Sequence, residues 1–130
     1  MTNLSDFDLD FRFGQQGENS VANLLSIETV EVKTDRRWKE TGNVYIETYF
    51  YSLASQDWIP SGINITKATH WAFKLEDAVL LVETPKLIEA IKEYGVPIST
   101  PIEPNPSKGF LMKPENILRY IKDRSEYSKP

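Results

Sequence analysis

The sequence has no cysteine, a single histidine and no long apolar run. Without cysteine the chain can form neither a disulfide framework nor a zinc ribbon, and it offers no thiol nucleophile. The single histidine, His70, excludes a histidine-rich metal site. No apolar stretch approaches the roughly 20 residues that cross a bilayer, and the first residues lack the basic start and apolar centre of a signal peptide. We therefore expect a soluble protein of the cytoplasm that has no membrane partner.

The residues that are present are typical of one globular domain. Of the 130 residues, 40% are hydrophobic and 12% are aromatic, which suffices for a core. The net charge of −4 argues against a nucleic-acid partner, but residues 104–130 hold six basic and three acidic residues. An acidic body with a basic end can still bind a polyanion. We predict one domain over residues 1–130, with a proline-rich loop at about 96–108 and a basic C-terminal extension at 109–130.

Hydrophobic periodicity predicts an α+β fold, in which a central mixed β-sheet is flanked by helices. Alternating apolar and polar residues predict strands, or for the first an extended arm, over residues 6–13, 29–35, 44–52, 70–75 and 78–83. A short strand is also predicted over 109–112. We expect 29–35 to pair with 44–52 across a charged turn at 36–43, and 70–75 to pair with 78–83 as a second antiparallel hairpin.

Helical spacing of apolar residues predicts helices over about 15–25, 84–94 and 114–124. The second helix has a clear start at Thr84-Pro85 and an end at Gly95. Its apolar stripe consists of Leu87, Ile88, Ile91 and Tyr94. The last helix is expected to bury Ile117, Leu118 and Ile121. A short turn or helix is expected near 65–69, and the prolines of 96–107 predict an extended loop.

The triplet E-V-K at residues 31–33 is the candidate catalytic segment. On a strand, the carboxylate of Glu31 and the ammonium of Lys33 project from one face about 7 Å apart. Three further acids are expected nearby: Glu18, Asp35 and Glu47. Several acids around one lysine are costly unless a cation binds there, and carboxylates suit Mg²⁺ or Mn²⁺. Such a metal can activate water, while the lysine orients that water or neutralises charge in the transition state.

A helix acid followed by E-V-K on a strand resembles the PD-(D/E)xK nuclease superfamily, which includes archaeal-type Holliday-junction resolvases, many restriction enzymes and free-standing phage endonucleases. The run EVKTDRRWKETGNVYIE, followed by PSGI and TKATHWAF, is similar to a set of small phage-encoded nuclease-like proteins. This resemblance covers about residues 10–83. It implies that Glu31 is a metal-binding acid, Lys33 the catalytic lysine and Glu18 the first-helix acid.

The resemblance also implies a fold and an activity. The fold would be a restriction-endonuclease-like core, and the activity would be that of a DNA endonuclease, a hydrolase of phosphodiester bonds that requires Mg²⁺ or Mn²⁺. By the same analogy we expect a homodimer, since two sites can cut two strands. A phage-encoded protein of this kind would act in the cytoplasm of its bacterial host.

The sequence departs from the superfamily at the aspartate that normally lies on the strand before the triplet. The one acid available there, Glu28, faces the opposite side of the strand from Glu31, so it is a poor substitute. Either Glu47 or Asp35 supplies the missing ligand, or the site is degraded. Glu47 is preferred, because the expected hairpin would place it opposite the triplet, although the strand register is not fixed by sequence.

Other interpretations stay open. The loop after the triplet carries a basic and aromatic run: Arg36, Arg37, Trp38 and Lys39. It could contact phosphate and stack on a base, or it could be a soluble tip. Asp35 could initiate the turn, and the E-V-K strand could be a solvated, ion-paired face. The protein could accordingly be a nuclease, a non-catalytic nucleic-acid-binding or phage accessory module, or an acidic protein that binds a host protein.

Overall fold

The computed structural model describes residues 29–101 and 106–127, and these residues form seven β-strands and three α-helices. The strands are β1 (Val30–Thr34), β2 (Val44–Ser52), β3 (Asp57–Pro60), β4 (His70–Leu75), β5 (Ala78–Glu83), β6 (Val96–Thr100) and β7 (Ser107–Met112). The helices are α1 (Trp38–Thr41), α2 (Thr84–Tyr94) and α3 (Pro114–Tyr127). The predicted α+β class is confirmed. The predicted strand 6–13, the predicted helix 15–25 and Glu18 lie outside the described residues.

The strands divide between two sheets. One is a mixed three-stranded sheet of order β1-β4-β5, in which β1 runs parallel to β4 and β4 antiparallel to β5. The other is a four-stranded antiparallel sheet of order β3-β2-β7-β6. The predicted β4–β5 hairpin is confirmed. The predicted pairing of 29–35 with 44–52 is wrong, because residues 36–43 hold helix α1 instead of a hairpin turn and the chain passes from one sheet to the other.

A single hydrophobic core is shared by both sheets and by helices α2 and α3. Its largest fully buried side chains come from all of these elements: Val44, Ile46, Trp71, Phe73, Leu87, Met112 and Ile117. The predicted stripe of α2 is confirmed, since Leu87 and Ile91 are buried while Ile88 and Tyr94 pack against the core. Because β7 and α3 both contribute to this core, the basic C-terminal extension is built into the domain.

The last helix turns a different face inward from the predicted one. Ile117 is buried as expected, but Leu118 and Ile121 are exposed, and Tyr120 takes the second inward position. Spacings of three residues from 114 through 117 to 120 keep one face of a helix towards the core. The sequence analysis chose the aliphatic residues and overlooked the tyrosine.

The stretch that was predicted as a proline-rich loop contains a strand. Residues 96–100 form β6, which pairs with β7 from Ser107 onward, and residues 102–105 lie outside the described part of the chain. Strand β3 was not predicted. A 3-10 turn lies at Gly62–Asn64, ahead of residues 65–69, where a short turn or helix was expected. Across 29–101 and 106–127, no helix has the length and apolar character needed to span a membrane.

Candidate functional site

The triplet E-V-K forms the centre of β1, and its two charged side chains project from one face, as strand alternation predicts. They are closer than the expected separation of about 7 Å and form an ion pair. Lys33 Nζ lies 3.2 Å from Glu31 Oε1. The side chains are 39% and 43% exposed respectively, so both remain accessible to a solute. An ion pair this exposed contributes little to stability on its own. The pair is therefore available to do chemistry without a large loss of folding free energy.

The parallel register places this charged pair on the same face of the sheet as the core. Glu31 is paired with Trp71 and Lys33 with Phe73, and both aromatic side chains are buried. The ammonium of Lys33 lies 5.3 Å from the centre of the Trp71 ring, within the range of a cation–π contact. The opposite face of β1 carries Val32, which is 64% exposed.

Among the described residues β1 is an edge strand, and its polarity is reversed relative to an ordinary one. The usual arrangement would bury the valines and expose the ion pair. In addition, the indole Nε1 of Trp71 is buried and has no hydrogen-bond partner among the residues described here, which is uncommon for a buried donor. Departures of this kind from the usual burial pattern and hydrogen bonding occur where function constrains the sequence.

The carboxylate of Asp35 accepts hydrogen bonds from two backbone N–H groups. Its Oδ1 accepts a hydrogen bond from Arg37 N at 2.9 Å, and its Oδ2 accepts one from Tyr45 N at 2.8 Å. The first bond starts the turn that leads into α1, and the second ties that turn to β2. The interpretation of Asp35 as a turn-initiating acid is confirmed. A metal at Asp35 would compete with these two N–H groups.

Glu47 lies on β2, in the other sheet from the triplet. The hairpin that would have placed it opposite Lys33 is wrong, so the reason for preferring Glu47 as a ligand is lost. Its Oε2 accepts a hydrogen bond from Ser61 Oγ at 2.8 Å. Gly62 packs directly on the backbone of Glu47. This contact holds the segment after β3 against β2.

The described residues do not bring the predicted acids together as a metal centre. Within 29–101 and 106–127, no group of three or more histidine or acidic side chains is placed to hold a metal ion. Of the three predicted ligands that the structure describes, Glu31 alone is neither hydrogen-bonded to backbone N–H groups nor located in the other sheet. Glu18 lies outside the part of the chain that the structure describes.

The basic loop after β1 is partly available to a polyanion. Arg36, Arg37 and Lys39 are exposed, and Lys39 Nζ lies 3.4 Å from Glu76 Oε1. Trp38 is half-buried and packs against the core. The two guanidinium groups can thus reach phosphate oxygens, whereas much of the indole is used for packing.

Sequence reasoning missed the role of Trp71 at this site. Trp71 is 40 positions from Glu31 in the chain, and only the parallel β1–β4 register brings the two together. Parallel pairs have no local turn signal, so no motif in the sequence marks the contact.

We compared the chain with protein-family models, with curated proteins and with solved structures, and none of them matches it.

Proposed function

We propose that the protein is a metal-dependent DNA endonuclease that uses Glu31 and Lys33. The observation that carries the proposal is the reversed polarity of β1. Among the described residues, β1 carries its half-exposed charged pair on the core-facing side and the apolar Val32 on the opposite, exposed side, which is the reverse of what a purely structural strand favours. An active site that needs a carboxylate and an ammonium on a rigid strand accounts for this arrangement.

The side chains of the strand suit such a reaction. Mg²⁺ is commonly held by one or two carboxylates, by substrate phosphate and by water, so Glu31 would supply one protein ligand and Glu18 is the candidate for a second. Lys33 would neutralise the charge that develops on the phosphate. Its contact with Trp71 limits the positions that the flexible side chain can adopt. Arg36 and Arg37, on the adjoining loop, would hold the DNA backbone.

A non-catalytic nucleic-acid-binding module is the second candidate. The observation that favours it is the engagement of Asp35 and Glu47 in hydrogen bonds with the rest of the protein. If neither acid replaces the missing superfamily aspartate, the site keeps the strand and the lysine but lacks a ligand. The two candidates differ in whether a divalent ion produces cleavage.

Cleavage of supercoiled plasmid and of a branched DNA junction, with Mn²⁺ and with chelator, tests the proposal. We expect Lys33→Ala to lower the cleavage rate at least about a hundredfold, or about 2.7 kcal/mol in activation free energy, while metal binding stays nearly intact. Lysine is not a ligand, and its removal lessens repulsion of the cation. Glu31→Gln should lose both metal binding and cleavage.

The matched controls are Lys86→Ala and Glu89→Gln. These two residues form an exposed ion pair of similar length, 3.3 Å, on helix α2. Both controls should cleave at the wild-type rate. If wild-type protein cuts no DNA form with Mg²⁺ or Mn²⁺, the nuclease proposal is wrong and the binding module takes its place. If the controls lose as much activity as the β1 variants, the effect is not specific to the site.

A further inference from the structure

One end of the four-stranded sheet is exposed in the part of the chain that the structure describes. On the face that packs against the core, Ile46 pairs with Phe110, and the next pair on that face, beyond Glu47 and Gly109, is Tyr49 with Lys108. Ile46 is fully buried, whereas Lys108 is exposed and Tyr49 is 38% exposed. The same face therefore changes from core to surface within a few residues.

A β-bulge turns Tyr49 to this face. The register of β2 against β7 shifts between Glu47 and Tyr49, and Thr48 is the extra residue, its Oγ1 donating to the Lys108 carbonyl at 3.0 Å. Without the bulge, alternation would place Thr48 on the core-facing side and Tyr49 on the other. Bulges commonly re-aim a side chain at a functional position.

Aromatic rings and one ammonium group meet on this open end. Lys108 Nζ lies 4.2 Å from the centre of the Trp58 ring, and Trp58 meets Tyr51 edge-on with ring centres 5.4 Å apart. We call these four residues, Tyr49, Tyr51, Trp58 and Lys108, the aromatic–lysine face. Trp58 limits the positions of the ammonium, and Tyr49 is the most exposed of the three aromatic residues.

A groove of about 330 Å³ runs beside Tyr49 and Lys108 towards the edge strand β6. That volume lies at the lower end of the range for small-molecule sites. Of the described residues that line the groove, Lys108 alone is charged, and Ser99 offers a hydroxyl group. The groove therefore combines a positive charge, a flat aromatic surface and hydrogen-bonding groups.

We propose that the aromatic–lysine face binds single-stranded DNA, with a base stacked on Tyr49 and a phosphate beside Lys108. Stacking on a tyrosine requires an unpaired base, which a duplex does not present, and the lone cation complements one phosphate. The inference rests on the proposed function in taking DNA as the substrate. It adds that a single strand is held on a sheet other than the one that carries Glu31.

The test measures binding of a fluorescein-labelled oligothymidylate to the full chain by fluorescence anisotropy, in chelator and at low salt. Tyr49→Ala should weaken binding about tenfold, since stacking on one aromatic ring has about that effect. Tyr49→Phe should bind like wild type. Lys108→Gln should weaken binding and reduce the salt slope by about one. The control Lys113→Gln, an exposed lysine just after β7, should leave affinity unchanged.

Chelator separates this proposal from the nuclease proposal, because binding is then measured without any metal. Loss of cleavage in Glu31→Gln with unchanged oligothymidylate binding would leave the aromatic–lysine face supported. The proposal is overturned if wild type does not bind the oligonucleotide, or if duplex DNA binds as tightly and Tyr49→Ala has no effect. It is also overturned if folded Tyr49→Ala and Lys108→Gln proteins, checked by circular dichroism, bind like Lys113→Gln.

Discussion

Two glycines with left-handed backbone angles have different surroundings. Gly42, with φ +75°, ends helix α1, and a Cβ there would meet nothing within 4 Å. Gly62, with φ +53°, lies where a Cβ would overlap the backbone carbonyl of Glu47. Both positions need a residue that tolerates positive φ, but only Gly62 also needs the absence of a side chain.

We therefore expect Gly62→Ala to destabilise the protein by at least about 2 kcal/mol more than Gly42→Ala. The left-handed conformation costs a non-glycine residue about 1–2 kcal/mol at either site. At Gly62, backbone must also move, which would disturb the hydrogen bond between Ser61 and Glu47. Urea unfolding of both variants gives the comparison. Equal losses of unfolding free energy would show that the 62–64 turn moves away from β2 without cost.

The three described acids that were proposed as ligands differ in what already binds them. The carboxylate of Glu31 meets the neighbouring Lys33, a contact that follows directly from strand alternation. Asp35 and Glu47 bind groups on Tyr45 and Ser61, 10 and 14 residues away. Alternation predicts contacts within one strand, but contacts between elements depend on tertiary packing. The sequence therefore predicted that Glu31 and Lys33 share one face, and the ion pair between them is the alternative interpretation of a solvated strand. The sequence could not predict the partners of the other two acids.

At the scale of elements, periodicity and turn residues predicted β1, β2, the β4–β5 hairpin and helix α2. Strands β3 and β6 were missed because each contains a proline, Pro60 and Pro97. Both are edge strands of the four-stranded sheet, where a residue without an N–H is tolerated. The partners of β1 and β2 were wrong because the nearest strand in sequence was taken as the neighbour. Strand pairing over longer separations leaves no local signal.

Helix α3 permits a direct test of which face packs against the core. Ile117 is fully buried and the adjacent Leu118 is 55% exposed. We expect Ile117→Ala to lower the free energy of unfolding by about 2–5 kcal/mol, because it leaves a cavity. Leu118→Ala should change it by about 0.5 kcal/mol or less. Urea unfolding of the two variants, with equal m-values, measures the difference. A large decrease in the free energy of unfolding of Leu118→Ala would mean that the helix is rotated about its axis.

For the molecule as a whole, the shared core determines which experiments on DNA binding are informative. The basic C-terminal segment includes β7 and α3, whose Met112, Ile117 and Tyr120 are buried in that core. Removing residues 114–130 would therefore unfold the protein as well as remove positive charge. Arg124 Nη2 also lies 3.5 Å from Glu93 Oε2 of helix α2 and forms an ion pair with it. Single charge substitutions on exposed residues test the contribution of charge without this loss of fold.

The shared core also makes global stability a measure of metal binding. A cation that binds only the folded chain stabilises it by about 2.7 kcal/mol when its concentration is a hundred times Kd, which raises Tm by several degrees. We expect Mn²⁺ to raise the Tm of wild type and of the control Glu89→Gln equally, and chelator to reverse the shift. Glu31→Gln should lose most of it, because the remaining described acids do not form a metal centre. An equal Mn²⁺ shift in Glu31→Gln would place the cation elsewhere and remove Glu31 from the site.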